Sequence, residues 1–172
     1  MYRLSSRRFT GGMMIDGLPR ALTLAGLLGA GLMAGTYFAF STFVMPGLRR
    51  LRPEQGLVAM QAINKAAPTP LLVLALVGTG LVSLVLGVSA LRRLDEPAAG
   101  WQLAGAGLYL VSLLITIGYH IPHNNALNLV DPASAGAGQA WLDYYRPWML
   151  LNHVRTVFAL AATAGFALAL RA

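Results

Sequence analysis

Four stretches of this sequence are apolar over the length needed to cross a lipid bilayer, and that feature constrains the fold more than any other. They run from about Ala21 to Val44, Pro70 to Leu91, Trp101 to Ile121 and Trp148 to Leu170. A hydrocarbon core about 30 Å thick takes about 20 residues of helix, so each run predicts one spanning helix whose backbone polar groups are satisfied internally. The chain is expected to be all-α, a four-transmembrane-helix bundle. Small residues four apart recur in the runs (Gly31 and Gly35, Ser83 and Gly87, Ala161 and Gly165), a spacing that lets helix backbones approach closely or that reflects an Ala/Gly-rich composition.

Composition decides what the positive charge means. The formal net charge is +7, yet only 11% of the residues are charged and 56% are apolar. Soluble domains carry about 25% charged residues, so this is a membrane chain rather than a disordered or nucleic-acid-binding one. Its basic residues mostly flank the apolar runs, and its partner is the lipid bilayer. There is no cysteine, which excludes disulfides, thiol nucleophiles and thiolate metal sites.

The organisation expected is a basic N-terminal segment, 1–20, followed by a single membrane domain, 21–172. The first apolar run is about 24 residues, longer than the core of a secretory signal, and is read as a retained span; Met13 and Met14 are alternative starts. An even span count puts both termini on one side. That side carries Arg3, Arg7, Arg8, Arg20, Arg92, Arg93 and Arg171, against Arg49, Arg50, Arg52, Lys65 and Arg146 on the other. Seven against five predicts cytoplasmic termini in a multi-pass protein of the cell membrane.

Polar residues collect at the opposite end. Pro46 and Gly47 are expected to end the first span, and Pro53 and Glu54 to start an extra short amphipathic helix, to about Ala66, between spans 1 and 2. On it Leu57, Met60, Gln61 and Asn64 share one face, leaving the amides either packed on the bundle or at a membrane surface. In the third span Ser112, Thr116, Tyr119 and His123 form one polar face, with His120 adjacent. Pro122 should kink or end that helix, making His123, Asn124 and Asn125 a cap at the membrane boundary. The loop beyond leads to Trp141, Tyr144, Tyr145 and Trp148, an interfacial aromatic belt or a lid over an aromatic ligand. The fourth span then opens with Asn152, His153 and Arg155. Helix geometry sets Asn152 and Arg155 about 60° apart but His153 and Arg155 about 160° apart, so Asn152 should centre the inward face. An arginine inside a span costs about 2.5–3.5 kcal/mol and marks a functional or interhelical contact. All these groups belong to one mouth of the bundle, the expected site.

Four stretches carry a family resemblance: Phe43-Val44-Met45-Pro46-Gly47-Leu48, Met60-Gln61-Ala62-Ile63-Asn64, Pro122-His123-Asn124-Asn125-Ala126-Leu127, and Trp148 through Asn152-His153-Val154-Arg155-Thr156. Their order and spacing, from about Phe38 to the end, resemble the anthrone oxygenase-like family of small four-helix membrane proteins. The resemblance implies oxidation of anthrones to anthraquinones by O2 without a cofactor, and implies functional positions at Gln61, Asn64, Asn124, Asn152, His153 and Arg155. His120 and His123 stand where the family pattern has other residues. On that reading His153 is the base, Arg155 with Asn152, Asn124 or Asn64 clamps the oxyanion, and Trp148 and Tyr145, with Tyr119, His120 and Gln61, contact a small aromatic substrate, anthrone-like or hydroquinone-like. Two other classes stay open in the sequence: a non-enzymatic membrane protein holding a hydrophobic ligand or partner, and a metal or haem site on His120, His123 and His153. No feature of the sequence encodes an oligomeric state.

Overall fold

A computed structural model of the chain describes residues 12–172, with side chains from residue 17. Arg3, Arg7 and Arg8, counted above for orientation, and Met13 and Met14 as side chains, lie outside the described residues. The described residues contain helices and turns and no strand. The first helix runs Gly12–Ala39, passes through a π-helical turn at Phe40–Val44 and resumes over Met45–Leu48; we call the whole α1. Helix α2 is Pro53–Ala66. Helix α3 comprises Pro70–Val73, a π turn at Leu74–Gly78 and Thr79–Leu91. Helix α4 comprises Pro97–Ile115, a π turn at Thr116–His120 and Ile121–Asn128, and α5 is Ala137–Arg171.

Helices α1, α3, α4 and α5 are each long and apolar enough to cross a membrane, and the chain is a multi-pass membrane protein. Leucines such as Leu28, Leu74, Leu114 and Leu160 are turned outward and exposed, as lipid-facing side chains are. Prolines at the first turn of α2, α3 and α4 start those helices where a missing N–H costs nothing. The Thr69 hydroxyl caps α3 by accepting from the Leu72 N–H at 3.2 Å. The connection between α3 and α4 is a tight turn held by the Arg93–Glu96 ion pair at 2.6 Å.

Two expectations need correction, and a third narrows to one outcome. The first span does not end at Pro46: a π turn ahead of it lets the helix continue to Leu48. Of the two outcomes expected at Pro122, a kink or an end, the helix does not end: that proline sits in the first turn after another π turn, where its lost N–H is accommodated, and the helix goes on to Asn128. The segment bearing Trp141, Tyr144, Tyr145 and Trp148 is no loop. It is the first part of α5, whose 35 residues extend about 52 Å, well beyond a bilayer core. The protruding turns pack on α2: Trp141, Tyr144, Tyr145 and Trp148 join Met45, Leu57, Met60 and Leu127 in one apolar cluster. The short amphipathic helix itself forms as expected, and its predicted face is the buried one.

The second cluster lies within the spans, around Met33, Tyr37, Leu86, Tyr109 and Phe166. There α4 and α5 meet backbone to backbone. A methyl group on Gly165 would sit 3.0 Å from the Gly105 Cα and N, closer than carbon atoms pack. Gly165→Val is therefore expected to lower stability by about 1–3 kcal/mol, read as thermal unfolding in detergent. Gly87, which also faces α4, has only ordinary contact room, and Gly35 faces open space. Close approach is thus a property of particular glycines. Four spans also place Arg92 and Pro132 on opposite membrane faces; cysteines there should label with an impermeant thiol reagent from opposite sides, and same-side labelling would reject the span count.

Candidate functional site

The π turns of α1, α3 and α4 lie around one cavity. Adding a residue to a helical turn leaves a carbonyl outside the usual i+4 pairing, available to a side chain. At or beside each turn a carbonyl also meets a side chain: Tyr37 O accepts from Asn152 Nδ2 at 2.9 Å and Leu76 O from the Tyr109 hydroxyl at 3.0 Å, both from other helices, while Ile115 O lies 3.3 Å from Nδ1 of His120 in the same turn. The turns of α1 and α3 are thus tied to neighbouring helices.

The turn in α4 also re-phases the helix. Continued as an ideal α-helix, the face bearing Ser112 and Thr116 would carry Tyr119 and His123 inward. With one residue more in the turn, His120 and Asn124 take those places and His123 is exposed, while the half-buried Tyr119 stacks on it with ring centroids 3.7 Å apart. His120 is 1% exposed. Its ring packs edge-on to Trp148 at 5.0 Å. Because a carbonyl only accepts, the contact with Ile115 O favours the tautomer protonated on Nδ1, which leaves a lone pair on Nε2. That Nε2 is buried and has no hydrogen-bond partner, and His120 lines a cavity of about 140 Å³ together with Tyr37, Asn64, Thr116, Asn124, Trp148 and Arg155.

Arg155 forms another wall. Its Nε and Nη2 donate to Asn152 Oδ1 at 3.0 and 2.8 Å, and Nη1 donates to the Thr116 hydroxyl at 3.2 Å. The guanidinium lies 4.0 Å over the Tyr37 ring and 5.5 Å from that of Trp148. Asn152 is fully buried and completes its amide by donating to Tyr37 O and to Ser41 Oγ at 2.7 Å. Both acceptors on Arg155 are neutral, and among the described residues no carboxylate pairs with it. A permanently charged group in a low-dielectric interior without a counter-ion attracts an anion.

Asn124 connects this cavity to the aromatic cluster. Its Oδ1 accepts from Tyr144 Oη at 2.8 Å and Trp148 Nε1 at 2.9 Å; the indole can only donate, which fixes the orientation of the amide. Asn64 Nδ2 reaches the Asn124 carbonyl at 3.5 Å and Asn128 Oδ1 at 3.4 Å. The short helix and the end of the third span thus meet through their amides, as expected for one mouth.

Of the residues singled out in the sequence, Asn64, His120, Asn124, Trp148 and Arg155 line the cavity, with Asn152 directly behind Arg155. Others lie elsewhere. Gln61 donates to Leu127 O and Val130 O at 2.9 and 2.8 Å and ties α2 to the end of α4. Tyr145 is buried in the aromatic cluster under Arg49. His153 is exposed on the outer side of α5. Consequently the three histidines do not converge, and no group of three ligating side chains forms among the described residues. Tyr37 and Ser41 were missed because they lie within an apolar run, although their spacing of four residues puts both on one helix face.

The matched family is described as anthrone oxygenase, and its model covers residues 57–165, from the buried face of α2 through most of α5. No curated protein and no solved structure matches the chain. The family match spans more than half of the sequence and includes every polar cavity residue except Thr36 and Tyr37. This four-span membrane protein belongs to the anthrone oxygenase family.

Proposed function

We propose that the protein is a cofactor-independent oxygenase that oxidises an anthrone-like or hydroquinone-like aromatic with O2, using His120 as base and Arg155 as the clamp for the resulting oxyanion. The observation that carries this reading is the pairing, across one small cavity, of an unpartnered imidazole Nε2 with a guanidinium that has no carboxylate. An anthrone has a CH2 acidified by the ring carbonyl opposite. His120 takes one of its protons, and the charge moves to the carbonyl oxygen as an enolate, beside Arg155 and the Asn124 amide. The electron-rich carbon bonds to O2, giving a peroxide. Loss of the second C–H proton with cleavage of the O–O bond forms the new carbonyl and releases water. One anthrone and one O2 give one anthraquinone and one water. In a hydroquinone the same two groups deprotonate and hold a phenol oxygen; two electrons pass to O2, which leaves as hydrogen peroxide.

His120 replaces His153 as base in this reading because helix geometry turns His153 to the outer surface. Termini on the cytoplasmic side accord with the excess of arginine there. The test is oxygen uptake by vesicles containing the protein across a panel of anthrones and hydroquinones. Uptake with stoichiometric quinone is expected; none above protein-free vesicles on any member would leave a ligand-binding protein. Arg155→Lys should not restore turnover, since an ammonium cannot fork to Asn152 and Thr116 while facing an oxyanion, and full activity in that variant would remove the clamp.

A further inference from the structure

The cavity has an extension that the chemistry above does not use. Between the start of α3 and the end of α4 lies a vestibule of about 230 Å³. It shares Asn64, Ala67, Leu72, Leu76, Thr116, Ile121 and Asn124 with the inner cavity, so the two adjoin with only these side chains between them. Its outer wall on one side is Val73, next to Leu71 and Leu74, which are 73% and 67% exposed; on the other it is Ile121, near the half-exposed Ile117. These are lipid-facing residues of two spans. At its upper edge stand Asn125 and Asn128, beyond the apolar part of the third span and hence at headgroup depth. The opening therefore faces the boundary between acyl chains and headgroups.

We infer that this vestibule is a lateral portal through which a bilayer-dissolved amphipathic aromatic reaches the site, its polar edge at the asparagines and its rings in the apolar groove. The inference rests on the proposed function for the substrate's chemistry and adds its source: a phenolic or enolisable fused aromatic held in the membrane interface. An aromatic with one polar edge seats itself at that depth for the same reason Trp and Tyr do. Arg155 and His120 lie at the inner end, so the polar edge leads. The inner cavity holds the reacting ring, and the remaining rings lie in the vestibule.

A route changes rates and leaves equilibria alone, and this makes the portal testable without turnover. The protein is reconstituted in phosphatidylcholine vesicles, and quenching of tryptophan fluorescence by 1-hydroxyanthraquinone, a product-like probe that needs no oxidation, is followed by stopped flow. Val73→Phe narrows the outer opening at an exposed position outside the inner cavity, and Ala67→Phe narrows the passage between the two spaces. Val73→Phe should slow association and dissociation together, by about tenfold or more within the one to three decades open to such variants, while the equilibrium shifts by less than either rate. Ala67→Phe should slow association at least as much. Val85→Phe, on the outer face of α3 away from the opening, should change neither rate. Unaltered rates in both portal variants would overturn the portal, as would failure of the wild-type protein to bind the probe. Slowed binding in a protein that consumes no oxygen would leave the portal standing and remove the oxygenase reading alone.

Discussion

His120→Ala is expected to lower turnover of an anthrone by about 10²–10⁴-fold, the usual contribution of a positioned base, while the ligand still binds. Oxygen uptake gives the first quantity and fluorescence quenching the second. His153→Ala serves as the matched control, because that side chain is exposed on the outer side of α5, and it should leave turnover within about twofold. The comparison also separates catalysis from folding. Removing His120 loses the contact to Ile115 O and the ring packing on Trp148, together about 1–3 kcal/mol, so the thermal midpoint in detergent is read beside turnover. If His153→Ala were inactive and His120→Ala active, the base would be wrongly assigned and the exposed face of α5 would have to meet the substrate.

Asn152→Ala should produce the largest loss of stability of any single cavity variant. The amide makes two bonds to α1, to Tyr37 O and Ser41 Oγ, and accepts two from Arg155. Interhelical hydrogen bonds in membranes are worth only about 0.6 kcal/mol on average, so the α1 contacts are the smaller part. The larger part is the guanidinium, left buried with two donors unpaired. Together the cost is about 3 kcal/mol, read as a fall in thermal midpoint in detergent. Asn152→Asp separates structure from electrostatics. A carboxylate keeps the acceptor for Arg155 but neutralises it, so that variant should retain more stability than Asn152→Ala and yet lose affinity for an anionic aromatic. Equal affinity in Asn152→Asp and the wild type would show that the free charge of Arg155 is not what the ligand senses.

The mouth of the bundle also explains why α2 exists as a helix. The protruding part of α5 presents Trp141, Tyr144 and Trp148 above the membrane spans, and Leu57 and Met60 of α2 bury that surface. Gln61 and Asn64 then secure α2 to the end of α4 through backbone carbonyls and an amide. Thus the same packing that covers the aromatic cluster brings Asn64 to the cavity wall. Trp148 belongs to both, sealing the cavity with its ring while its N–H fixes Asn124.

By itself the sequence determined the spans, the side of the bundle that carries the polar groups, the buried face of α2 and the alignment of Asn152 with Arg155. Each follows from a regular period or a length: about 20 apolar residues against the bilayer, and 3.6 residues per turn for faces. The tertiary structure decided which histidine faces inward and where the helix of the fourth span begins. A π turn adds one residue to the period, and no local residue type announces it; beside the turn of α1 the Tyr37 carbonyl is held by Asn152, a partner far along the chain. Past such a turn every face shifts by one position, which exchanges Tyr119 and His123 for His120 and Asn124. The start of α5 escaped for a related reason. Its helix is polar on one side and is held by packing on α2, a long-range contact that neither hydropathy nor the Gly/Ala-rich composition before Trp141 reveals.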